Sequence, residues 1–237
     1  MTQFSDNVRV GEAYFPPLMG NKDNPAGREE KGVVAIDTTK VVVPVLFGAV
    51  AAVDPDGIVV NGSATGAATL SATGALVSGG VATFDVERSV RITSTGNESG
   101  VTFTLTGTDR YGKTVVWSGA GPNNSTVDSA KTFLTVTSVA VDGATTSTQV
   151  DVGTGDDLGL PYRLATKGQS LGWTKDGITA TDITITVADQ TAVTATTGDV
   201  RGKVSATAVD GTATFSLLMV ADATSKTTLV GLDQYSG

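Results

Sequence analysis

The chain has 237 residues, carries 16 Lys and Arg against 24 Asp and Glu for a formal charge of −8, and contains neither His nor Cys. Without imidazole or thiolate it lacks the commonest general base, the cysteine nucleophile, and the ligands of zinc and most transition-metal sites, and it can build no disulfide framework. An acidic chain with no basic stripe repels a phosphate backbone, so nucleic acid is not an expected partner, and no cofactor or metal is expected.

Residues 1–39 come first and differ from the rest. They hold Pro16, Pro17 and Pro25, a mixed-charge patch at Arg28, Glu29, Glu30 and Lys31, and no sustained periodicity. This reads as an extended N-terminal arm. Its aromatic content is high for a free tail, so the arm is expected to dock on a partner through Phe4, Tyr14, Phe15 and Leu18. The start of the chain has no basic stretch followed by an apolar one, so it does not read as a secretory signal, and synthesis in a cytoplasm is expected. The longest apolar run, 41–53, contains Pro44 and Gly48 and falls short of the roughly 20 residues a membrane helix needs, so no membrane partner is expected.

From Lys40 onward, short apolar or alternating runs are separated by Gly, Asp and Asn turns, the pattern of an all-β fold. A first strand is predicted over 41–47, and Asp54-Pro55-Asp56-Gly57 turns into a second at 58–60. Residues 64–77 are rich in Gly, Ala, Ser and Thr and fit either a loop or a weak strand pair. A strand is predicted over 82–92, and then Val101, Phe103 and Leu105 alternate with Thr102, Thr104 and Thr106, giving one core face and one threonine face. Asp109-Arg110-Tyr111-Gly112 makes a hairpin into 113–118. Further strands are predicted over 133–141 and 148–152, with a loop at 153–159. After a polar, Gly-rich stretch, a second β block runs through 183–187, 192–195, 200–209 and 213–217. The two Val-Asp-Gly turns, at 141–143 and 209–211, read as hairpin turns. The expected organisation is an arm (1–39), a main β domain (40–165) forming an antiparallel β-sandwich or barrel, and a second, smaller β domain (166–237).

Several constellations invite chemistry. Gly153-Thr154-Gly155-Asp156-Asp157-Leu158-Gly159 suggests a nucleotide loop, but the third glycine is misplaced and no Lys-Ser or Lys-Thr opens a helix. The same residues offer carboxylates to calcium without the ligand order of an EF-hand, so a turn is the preferred reading. Asp128, Asp142, Asp151, Asp156 and Asp157 have only Lys131 between them and read as a solvated anionic face. The pairs Glu29 with Glu30 and Asp85 with Glu87 could flank a glycosidic bond, yet Trp117 and Trp173 are the only tryptophans for stacking a sugar, and both are expected to be core or interface fillers. Asn97-Glu98-Ser99 and Asn123-Asn124-Ser125-Thr126 fit glycosylation patterns but are read as turn residues.

Three segments, Thr106-Gly107-Thr108-Asp109-Arg110-Tyr111-Gly112-Lys113 with the following Gly119-Ala120-Gly121, the stretch from Val152 through Gly159 to Leu160-Pro161-Tyr162-Arg163, and Gly231-Leu232-Asp233-Gln234-Tyr235-Ser236-Gly237, resemble a group of tailed-phage virion proteins of the capsid decoration, or cement, type. The resemblance covers residues 82–163 and 231–237, and does not extend to the arm or to 61–80. It implies a non-catalytic structural protein on the outer capsid surface of a phage head. Its implied partners are the major capsid protein and neighbouring copies of itself, as a homo-oligomer and often a trimer at lattice three-folds. The resemblance offers no catalytic residues to carry over. The rival readings are another virion component (head fibre, tail or glycan-binding adhesin protein) and a polysaccharide depolymerase.

Overall fold

The computed structural model describes residues 40–147, 149–181, 183–189, 193–206, 209–222 and 232–236. The arm residues Phe4, Tyr14, Phe15 and Leu18 lie outside the described residues. Within them the chain is all β, with one 3-10 turn at Lys167–Gln169 and no α-helix. Fourteen strands follow in order: β1 (Lys40–Ala49), β2 (Val59–Gly62), β3 (Ala68–Thr69), β4 (Val77–Ser78), β5 (Val81–Asn97), β6 (Thr102–Thr108), β7 (Thr114–Ala120), β8 (Asn123–Val141), β9 (Val150–Gly159), β10 (Ser170–Lys175), β11 (Ile178–Thr179), β12 (Ile183–Thr186), β13 (Lys203–Ala206) and β14 (Thr214–Asp222).

They form two antiparallel sheets arranged as a curled half-barrel sandwich. The smaller sheet has the order β1-β14-β10-β11; the larger runs β12-β13-β9-β5-β8-β6-β7, with β2, β3 and β4 paired along its flank. Threonine alternation makes β6 legible. Phe103 and Leu105 are fully buried, while Thr104 and Thr108 on the other face hydrogen-bond Ser118 and Thr135 across the sheet at 2.8 and 2.7 Å. The β6–β7 hairpin closes as expected: Gly112 takes φ +73°, and Asp109 Oδ1 accepts the Tyr111 and Lys113 amides at 2.8 and 2.9 Å.

The two Val-Asp-Gly turns do not make hairpins. β5 separates β8 from β9 in the larger sheet, and the turn at Gly211 carries the chain from the larger sheet to the smaller one. Strand pairing also crosses residue 165 in both sheets. β1 pairs with β14, and β12 and β13 continue the larger sheet from β9, so the two β blocks expected on either side of that residue share sheets.

There are two cores. The curl of the larger sheet encloses the first, with Phe84, Ile92, Phe103, Leu105, Trp117 and Phe133 at its centre. The second lies between the smaller sheet and the β9–β13 end of the larger one. There Val45, Phe47, Trp173, Phe215 and Leu217 meet Leu158, Leu160 and Val204. Trp173 stacks on Phe215 with ring centroids 5.6 Å apart. Each such buried side chain contributes roughly 1.5–3 kcal/mol.

Residues 153–159, expected to be a loop, belong to β9, an interior strand of the larger sheet. The glycines are there because neighbours approach too closely for a side chain. A Cβ on Gly153 would lie 1.9 Å from the Asp54 carbonyl oxygen, and one on Gly155 2.3 Å from Ser89 Oγ. Gly153→Ala is therefore expected to destabilise the chain by about 2–3 kcal/mol through overpacking. Gly66→Ala, where a Cβ meets nothing within 4 Å, is expected to change stability by less than about 0.5 kcal/mol; urea titration of both variants against the parent chain measures the two effects.

Candidate functional site

Where the two cores meet, β5, β8, the β6–β7 turn and the segment leading into β13 bring a set of charged side chains out of water. At its centre is Arg201, which is fully buried. Its Nη2 donates to Glu87 Oε1 at 2.6 Å, its Nη1 to Asp109 Oδ2 at 2.8 Å, and its Nε to the Leu160 carbonyl at 2.9 Å. The guanidinium also lies over the Tyr111 ring, 5.1 Å from the centroid, and the Tyr111 hydroxyl donates to the Pro161 carbonyl at 2.7 Å. Burial alone would lower the Arg201 pKa, but Glu87, Asp199 and Asp109 together hold it above its ordinary value.

Glu87 is fully buried on β5. Burial pushes its carboxyl up, against the pull of Arg201 and then Arg110, whose Nε donates to Glu87 Oε2 at 2.8 Å. Asp199 closes the ring: it accepts the Arg201 amide at 2.9 Å and the Thr132 hydroxyl at 2.6 Å. A second buried cation, Lys131, sits nearby on β8. Its Nζ donates to the Thr194 carbonyl at 2.7 Å and to the Gln234 carbonyl in a very short contact. Gln234 is itself fully buried and accepts the Val200 amide at 3.3 Å, so the C-terminal residues are clipped onto the same junction.

Residues from three segments distant in sequence meet at this junction. Asp109, Arg110 and Tyr111 come from the first, Leu160 and Pro161 from the second and Gln234 from the third. Sequence reasoning missed Arg201, Glu87 as its partner, Asp199 and buried Lys131. The only local signal is the Asp109-Arg110 turn, since a lone arginine among Gly198, Asp199 and Gly202 reads as solvated.

The other expected groups are scattered. Asp156 and Asp157 leave opposite faces of β9: Asp156 joins Asp128 around Arg91 at 2.9 and 2.7 Å, and Asp157 pairs with Lys203 at 2.5 Å. The stretch is thus partly neutralised by bases from other strands rather than wholly a solvated anionic face. Asp85 lies apart from Glu87, accepting the Ala51 amide at 2.7 Å beside a cavity of about 150 Å³ that Arg88 also lines. Trp117 fills the first core and Trp173 the second, so the tryptophans do not share a cleft. Asn97 caps a turn, its Oδ1 accepting the Ser99 amide at 3.2 Å, whereas Asn123 and Asn124 begin β8. Among the described residues no group of three or more Asp or Glu is placed to hold a metal ion.

The chain matches no family model, no curated protein and no solved structure.

Removing the central guanidinium leaves buried Asp109 without its arginine partner and buried Glu87 with Arg110 alone. Arg201→Met is expected to lower the unfolding free energy by about 3–5 kcal/mol, against about 1 kcal/mol for Arg110→Ala, whose side chain is partly solvated; chemical denaturation measures both. Burial holds Lys131 at about 8 in the folded chain, below its ordinary 10.5, so between those values the unfolded chain binds the extra proton. Folding stability therefore gains from this group as pH rises through that window, and unfolding titrations at both ends of it are expected to show the gain in the parent chain and not in Lys131→Met.

Proposed function

We propose that the chain is a non-catalytic structural protein of a tailed-phage particle, binding the outer capsid surface as a decoration protein that stabilises the head. The observation that carries the reading is the convergence of the resembling segments on one junction. The residues that carry the likeness are far apart in sequence, yet they share one largely buried hydrogen-bonded network around Arg201, whose guanidinium places every nitrogen on a partner. Such a network rigidifies a body and fixes its shape, which is what a subunit held in a lattice requires.

The charges at the junction are spent on one another. A general acid or base must exchange protons with a substrate, whereas Glu87 and Asp109 are occupied by arginine and backbone donors and closed to solvent. In this reading the partners are the major capsid protein and neighbouring copies of the chain, as a homo-oligomer with a trimer the natural state at lattice three-folds. Many weak contacts then add up by avidity, and the arm supplies anchors at Phe4, Tyr14, Phe15 and Leu18.

Cryo-electron microscopy of the intact particle tests this. The expected result is density for the chain at regular lattice positions on the outer shell, and a full-length chain with all four anchors changed to alanine is expected to bind heads at least about tenfold more weakly. Density confined to the tail or a vertex would instead place the protein among fibre, tail or adhesin components.

A further inference from the structure

Six large apolar side chains stand out as exposed among the described residues, and five of them, Val42, Leu46, Leu171, Ile178 and Leu218, lie on the four-stranded sheet. Leu46 is 77% exposed and Val42 48%, although the strand they occupy buries Val45 and Phe47 on its other side. The register sets Pro44 opposite Leu218 and Val42 opposite Val220, so Val42, Leu46 and Leu218 share the outer face of the sheet. Leu171 stands beside them at a break in the β10 register. Apolar residues clustered on one sheet face, on a chain whose other strands put threonine outward, mark a contact surface.

The chain itself holds the complement. In the described body Phe47, Phe84, Phe103, Phe133, Phe215 and both tryptophans are buried. Phe4 and Phe15 are the remaining phenylalanines, and they belong to a 39-residue stretch that ends where β1 begins, the end strand of this same sheet among the described residues. We propose that the outer face of the four-stranded sheet is the acceptor for the N-terminal arm of a second copy of the chain, with Phe4, Tyr14, Phe15 and Leu18 laid against Val42, Leu46 and Leu218. The inference rests on the proposed reading in taking the arm as a partner-binding segment, and names its receptor. Exchange between copies suits a chain that assembles with itself, and among the described residues β1 is an edge strand, with one neighbour, β14, alongside the apolar side chains.

The absence of cysteine permits a direct test on the full-length protein. Chains carrying Phe4→Cys, Phe15→Cys or Leu18→Cys are each mixed with chains carrying Leu46→Cys under mild oxidation, with Thr69→Cys, exposed on the larger sheet, as the control acceptor. At least one arm position is expected to give a disulfide-linked heterodimer about tenfold more readily with Leu46→Cys than with Thr69→Cys, because docking raises the local thiol concentration. Adding Leu218→Asp, a surface change that leaves both cores intact, is expected to abolish the preference. Equal yields with both acceptors, or a Phe15→Cys/Leu46→Cys chain that closes only on itself at every concentration, would overturn the proposal. The assay uses purified chain alone, so its failure is separable from failure to find the protein on a capsid.

Discussion

The guanidinium of Arg201 is the point on which the two halves of the molecule turn. It reaches from the segment before β13 to Glu87 on β5, to Asp109 in the β6–β7 turn and to the chain leaving β9. A buried arginine has five N–H donors to place and a full charge to balance, and a buried carboxylate has the converse need. Neither is tolerated alone, so the four segments are bound to one relative arrangement. Apolar contacts between the cores are non-directional and would accept small shifts; fixed donor and acceptor geometry does not.

The smaller sheet inherits its position from this junction. Leu158, Leu160 and Leu164, which flank the Arg201 contacts, form the floor on which Trp173, Phe215 and Leu217 pack. β1 joins that sheet from the opposite end of the chain, pairing along its length with β14. Closing so distant a pair is entropically unfavourable, and burial of Val45 and Phe47 beneath it offsets the loss. The same pairing carries the start of the described chain, and with it the end of the arm, to a sheet whose outer face exposes Val42, Leu46 and Leu218. The proposed arm receptor thus depends on one topological fact.

Charge elsewhere in the molecule follows a plainer rule. Arg91 is held bidentate by Asp128 and reached by Asp156, and Lys203 pairs with Asp157, each across neighbouring strands of the larger sheet. These pairs are partly solvated and contribute less than the junction does. They show why acidic residues that are consecutive in sequence need not form one anionic surface: a strand sends successive side chains to opposite faces, where different partners meet them.

The sequence by itself determined the fold class, because period-two alternation, threonine-rich faces and turn chemistry are local signals. Residues 101–118 were legible almost residue by residue as the β6–β7 hairpin for that reason. Glycine was the ambiguous letter. At Gly112 it marks a left-handed turn, and at Gly153 and Gly155 it marks a crowded strand; both demands favour the same residue. Which strands pair, that β1 belongs with β14, and that the Val-Asp-Gly turns lead between non-neighbouring strands were decided only in three dimensions. So was the ionic junction. Glu87, Asp109, Asp199 and Arg201 span more than a hundred positions, and no periodicity links them. Only the folded chain shows that each charge was placed to satisfy the others, since a side chain's counter-charge is selected by proximity in space and leaves no mark in spacing along the backbone.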